Sequence, residues 1–126
     1  MDKDSLKELQ ADVDGLATYE YLANHIDDCE ADLSFLIENM IKVDPNGQFL
    51  VSASRYLAAI DREHFAEAIN QMVAAAIDKD RERRYIGDLL DALYGADYKE
   101  RAAELAAADN NFRRIYKRIY PNQNSL

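Results

Sequence analysis

The sequence predicts an all-α fold of six or seven helices, paired as antiparallel hairpins in solenoid-like, right-handed stacking, with a compact helical bundle as the alternative. Three observations predict it. Apolar residues recur at helical spacing along most of the chain: Phe65, Ile69, Met72, Val73, Ala76 and Ile77 fall at i, i+4, i+7, i+8, i+11 and i+12. Only 4 Gly and 2 Pro interrupt 126 residues, few breaks for a turn-rich β fold. An apolar helix end followed by an Asp also recurs, at residues 21–27 (YLANHID), 56–61 (YLAAID) and 89–97 (LLDALYGAD). The helices after these boundaries align as well. Leu33, Ile37, Met40 and Ile41 match Phe65, Ile69, Met72 and Val73 at an offset of 32, and Phe65 and Met72 match Tyr98 and Leu105 at 33. Units of that length, each a helix, a tight turn and a second helix, bury a continuous core by stacking. The tetratricopeptide pattern is not matched, since the chain has no Trp.

Each element has a local chemical cause. Asp4 or Ser5 is the expected cap of a first helix with Leu6, Leu9, Val13 and Leu16 on one face, continuing through Gly15 at a cost of about 1 kcal/mol. The pattern then runs from Tyr19 to Ile41, too long for one ordinary helix. His25 to Asp28 is the expected break, with Asp27 or Asp28 capping the next helix. Whether residues 5–43 form one helix or two is open. Pro45 and the pair Asn46-Gly47 mark the clearest loop. A short helix over 49–60 ends at Asp61, which is expected to cap the central helix, with Glu63 in its first turn. A helix over 81–94 stops at Gly95, Asp97 caps another, and a last helix over 111–120 is closed by Pro121. This divides the chain into a single all-α domain over 1–120 and a short tail over 121–126.

Charge narrows the functional classes. The formal net charge is −9, yet residues 1–80 hold 17 acids against 6 bases and residues 81–126 hold 7 against 9. Nucleic-acid affinity comes largely from Lys and Arg neutralising phosphates, so a nucleic acid is not the expected partner. The single Cys29 forms no internal disulfide, the opening MDKDSLKELQ lacks a signal-peptide apolar core, and no run reaches the length of a membrane span. A cytoplasmic protein without a membrane anchor is expected.

No catalytic, metal or nucleotide signature occurs. His25 and Cys29 share a helical face at a spacing of four, but Cys29 fills an apolar slot and no third residue or oxyanion donor accompanies them. Two His and one Cys make no four-ligand zinc set. The run from Asp12 to Gly15 has the middle of a calcium-binding loop, but Gln10 and Tyr21 stand at its first and twelfth positions; Asp78, Asp80 and Glu82 lack the Gly. No Gly-rich loop precedes a helix. No enzyme activity, cofactor, metal or small-molecule substrate is therefore expected.

What remains is binding. In the segment FRRIYKRIYP, Phe112, Ile115, Tyr116 and Ile119 form one face, while Arg113, Arg114, Lys117 and Arg118 cover much of the rest. With Arg83, Arg84 and Tyr120 these are the candidate partner-binding residues. The competing reading is a terminal cap, whose basic residues suit the negative end of a helix. Of the 8 Tyr, Tyr94 and Tyr120 are expected to be exposed. The expected function is a small acidic helical protein acting as a protein–protein interaction or adaptor module. The alternative is a regulator of a nucleic-acid transaction, acting through the basic helix or by acidic mimicry.

Overall fold

A computed structural model describes residues 1–122 and is all-helical, with no strand among the described residues. It contains α1 (Lys3–Gln10), α2 (Leu16–Asn24), α3 (Leu33–Val43), α4 (Gln48–Asp61), α5 (Ala66–Lys79), α6 (Leu89–Tyr94), α7 (Ala102–Ala108) and α8 (Asn110–Ile119). Single 3-10 turns at Glu30–Asp32 and Ile86–Asp88 lead into α3 and α6. Among the described residues there are eight α-helices rather than the expected six or seven, and residues 5–43, expected as one helix or two, are divided among α1, α2 and α3. The tail expected over 121–126 lies outside the described residues from 123 onward.

Three of the loops, those before α2, α4 and α6, share one construction. Asp12, Asp44 and Asp80 each come just after a helix and turn a carboxylate back onto the chain ahead. Asp12 Oδ1 accepts from the amides of Asp14 and Gly15 at 3.2 and 3.0 Å, and Oδ2 accepts from the Thr18 amide and hydroxyl at 2.9 and 2.6 Å. Asp44 repeats this with Asn46 and Gly47 on Oδ1 and Phe49 and Leu50 on Oδ2, all between 2.9 and 3.1 Å. Asp80 accepts from Arg84, Tyr85 and Ile86 at 2.7 to 3.0 Å. The third residue after each Asp has positive φ: Gly15 at 103°, Gly47 at 88° and Arg83 at 59°. One carboxylate thus satisfies several of the amides that a helix start leaves without partners.

This geometry corrects the sequence reading in three places. No helix runs through Gly15, so Val13 and Leu16, expected on an inward face, are 87 % and 43 % exposed. Residues 81–85 are loop rather than the start of a helix. The boundary Asp residues at 27, 61 and 97 do not cap: Asp61 accepts only from the His64 amide at 3.1 Å, and α3, α5 and α7 begin without a side-chain cap. The first cap is Asp2, which accepts from the Ser5 amide at 2.7 Å.

Helices pack in two series. α2 lies against α4 and α4 against α6; α3 lies against α5 and α5 against α8. Facing residues, including Leu22, Leu36, Leu50, Leu57, Met72, Ile77, Leu90 and Phe112, are at most 1 % exposed. The sequence match at offset 33 placed the helix containing Leu105 beside α5. That position belongs instead to α8, with Phe112, Ile115 and Tyr116 buried, while α7 packs on α8.

Polar contacts tie the series together. A Cβ on Gly15 would come within 3.3 Å of Asp44 Cβ, so the first two loops are in direct contact. Buried Asn39 donates to the Leu9 carbonyl at 2.7 Å and to the Thr18 hydroxyl at 3.0 Å, joining α1, α2 and α3. Lys79, at the end of α5, donates to the carbonyls of Ile41 and Asp44 at the end of α3. Arg118, at the end of α8, donates to the carbonyls of Ile77 and Asp80 at the end of α5, at 2.5 and 3.4 Å. Each cation meets the negative end of the preceding helix in its series.

Candidate functional site

A concave surface lies at the α2–α3 and α4–α5 turns. Ile26, Asp27, Tyr56, Ile60 and Asp61 line a cavity of about 570 Å³. A second cavity of about 400 Å³ runs on between the starts of α3 and α5, past Leu33, Ser34, Ile37, Glu67 and Ala68. Glu30, His64 and Phe65 line both, which makes them one trough.

Its floor is apolar. Phe65 and Ile37 are buried, Ile26, Tyr56 and Leu33 are half-buried, and Ile60 is 47 % exposed, one of few large apolar side chains at the surface. By helical spacing Ile60 shares the face of Tyr56 and Leu57, but it opens into the trough instead of the core. The Tyr56 hydroxyl donates to the Ala23 carbonyl at 3.3 Å and fixes its ring at the rim.

Its walls are acidic. Asp27, Glu30, Asp61 and Glu67 line it and are exposed, and neither cavity is lined by a Lys or Arg. Arg62, the cation of the α4–α5 turn, lies over the Tyr94 ring at 5.3 Å instead. His64 Nε2 pairs with Glu30 across the middle of the trough, and the hydrogen bond and charge of Glu30 raise the imidazole above its ordinary value. No single residue in this group forms a recognisable motif. The usable signal in the sequence was the acidity of 27–32 and 61–67 beside an Ile at a helix end.

The predicted basic residues gather elsewhere. Arg118 and Arg114 face α5: Arg118 holds its C-terminal carbonyls, and Arg114 pairs with Asp78 at 2.6 Å. Arg83 donates to the Arg118 carbonyl at 3.1 Å, and Arg84 pairs with Glu82 at 2.9 Å. Among the described residues, Arg113 reaches only Asn110 on its own helix, at 2.7 Å, and Lys117 is exposed. Tyr120 is half-buried, its hydroxyl 2.7 Å from that of Tyr98 and its ring under Lys99 at 4.8 Å. Burial and the Tyr120 contact push Tyr98 up to about 12, while the Tyr98 hydrogen bond draws Tyr120 below its ordinary value. Tyr94, expected at the surface, is buried edge-on to Phe112 and donates to Asp109 Oδ2 at 3.0 Å. That contact fixes the start of α8, because Asp109 also accepts from the Phe112 amide.

His25 and Cys29 lie in different environments. Cys29 is buried, and burial together with Asp28 and the neighbouring acids pushes its thiol up, away from the thiolate a nucleophile requires. His25 is exposed and stacks on Tyr21 at 4.1 Å. Both oxygens of Asp12, Asp44 and Asp80 are taken by N–H or O–H donors, which orients them to the backbone rather than to a cation. No group of three or more His, Cys, Asp or Glu is placed to hold a metal among the described residues, and no described helix is long and apolar enough to cross a membrane. Compared with family models, with curated proteins and with solved structures, the chain matches none.

Proposed function

We propose that this protein is a non-catalytic interaction module that docks another protein in the trough at its α2–α3 and α4–α5 turns. The observation that carries this reading is the trough itself: an apolar floor with Ile60 open to solvent, set between four carboxylates. Isolated apolar side chains are common on surfaces, but a concave apolar patch with a polar rim is the usual form of a binding site.

The architecture supports the same reading. We take the molecule to be three stacked hairpins in a short, solenoid-like array of right-handed sense, each unit opened by an Asp-locked loop. Serial packing of α2, α4 and α6 and of α3, α5 and α8 is what such an array requires, and arrays of this kind commonly bind along grooves between units. The basic edge around α8 is a second contact region, reduced to Arg113 and Lys117 because Arg114 and Arg118 are engaged with α5, Arg83 with the Arg118 carbonyl and Arg84 with Glu82. A nucleic-acid role for that edge would require its remaining cations to outweigh the overall acidity.

Affinity capture from the source cell tests the reading. Tagged full chain and its Ile60→Lys variant are compared at matched expression. The variant places charge on an already exposed side chain, so melting is expected to be unchanged while one or more specific partners are lost. Equal capture by both proteins, or partner loss only on reversal of Arg113 and Lys117, would refute docking in the trough.

A further inference from the structure

Resting on that docking reading, we propose that the occupant of the trough is a cationic amphipathic helix of a partner protein, seating an apolar side chain on Ile60 and facing Lys or Arg toward Asp27, Asp61 and Glu67. Three features of the site define this chemistry.

The first is charge. The trough is lined by four carboxylates and by no Lys or Arg, its one imidazole being held by Glu30. An acidic or uncharged segment covering it would desolvate these carboxylates without pairing them, whereas Lys or Arg side chains at the rim compensate them. A cation entering the middle would compete with His64 for Glu30.

The second is shape. The two cavities share Glu30, His64 and Phe65, and each adds apolar side chains, Ile26, Tyr56 and Ile60 in one and Leu33 and Ile37 in the other. Anchors repeated at i, i+3, i+4 and i+7 on one helical face suit such a groove. The described residues offer no strand edge on which an extended peptide could add.

The third is that the chain's own basic helix is committed. α8 buries Phe112, Ile115 and Tyr116 against its own core and spends Arg114 and Arg118 on α5. A second copy therefore does not present the required face, and the occupant comes from a different protein.

Three synthetic peptides of about 18 residues, five helical turns, test this against the full chain by NMR amide shifts. One is an amphipathic Leu/Lys sequence, one replaces every Lys by Glu, and one scrambles the Leu/Lys composition to remove the helical spacing. The Leu/Lys peptide is expected to shift residues 26–34 and 56–68. Ile60→Ser should weaken it about tenfold, and the double reversal Asp27→Lys with Glu67→Lys should abolish it. All three substituted side chains are exposed, so unchanged melting of the variants verifies their fold. Equal binding of the scrambled peptide with shifts spread across the acidic half would reduce the effect to net charge and overturn the proposal, as would binding of the Glu peptide. If cellular capture depends on Ile60 while the Leu/Lys peptide leaves the trough unshifted, the docking site stands and the cationic helix is refuted.

Discussion

A single carboxylate oriented toward its own backbone governs each of the three loops, and Asp44 shows the energetics most clearly. It is fully buried, and its two oxygens accept four amides of the Asp44–Leu50 segment. Asp44→Ala leaves those donors unpaired and is expected to cost about 3 to 5 kcal/mol in urea unfolding; a loss under about 1 kcal/mol would show that the loop is held by other contacts. Asp12 is half-exposed and should cost less. Burial pushes its carboxyl up, but the hydrogen bonds from Thr18, Gly15 and Asp14 outweigh that and hold it below the ordinary 3.8. Its contribution is complete above the unfolded value and is lost as pH falls through the lower folded value, so Asp12→Asn should flatten that acid limb. The sequence showed acids at these positions, but a carboxylate bound to amides has the same letters as a solvated helix end. What distinguishes them is the left-handed residue three positions later, visible as Gly15 and Gly47 and hidden as Arg83.

At the level of elements, the left-handed position decides where helices start. Gly47 has φ of 88°, and a Cβ there would lie 3.2 Å from the Ala76 carbonyl oxygen. Gly47→Ala is expected to destabilise by about 1 to 2 kcal/mol, whereas Arg83→Gly should raise stability by about 0.5 to 1 kcal/mol by relieving a left-handed non-glycine residue. Thermal unfolding of both variants checks the pair; destabilisation by Arg83→Gly would mean that its hydrogen bond to the Arg118 carbonyl matters more than backbone strain. Helical periodicity located α3, α4 and α5, where long apolar faces are buried as their spacing implied. It failed over 81–85 and across Gly15, where Asp80 and Asp12 take amides that a helix would have used. The trough was less legible, since Glu30 and His64, which meet across it, are 34 residues apart in sequence. Ile60 has the helical phase of an inward residue, yet it lines the open cavity and is 47 % exposed.

Across the whole molecule, charge is divided between joining helix ends and facing solvent. Lys79 and Arg118 close the ends of α3 and α5, so the basic C-terminal segment is partly internal cement. Arg118→Ala is expected to cost about 1 to 2 kcal/mol, because the Ile77 carbonyl loses its charged donor, while Arg113→Glu and Lys117→Glu should change stability by under about 0.5 kcal/mol. Urea unfolding separates these outcomes; equal effects at all three positions would refute the division. The acidic trough, by contrast, has no Lys or Arg in its lining, and its open apolar floor is the feature a partner would cover. Photocrosslinking in the source cell tests this most directly, with a photoreactive amino acid replacing Ile60 in one protein and Lys117 in another. The probe at Ile60 is expected to form a discrete adduct with a partner, through a segment rich in Lys or Arg. Adducts at Lys117 with none at Ile60 would contradict docking in the trough.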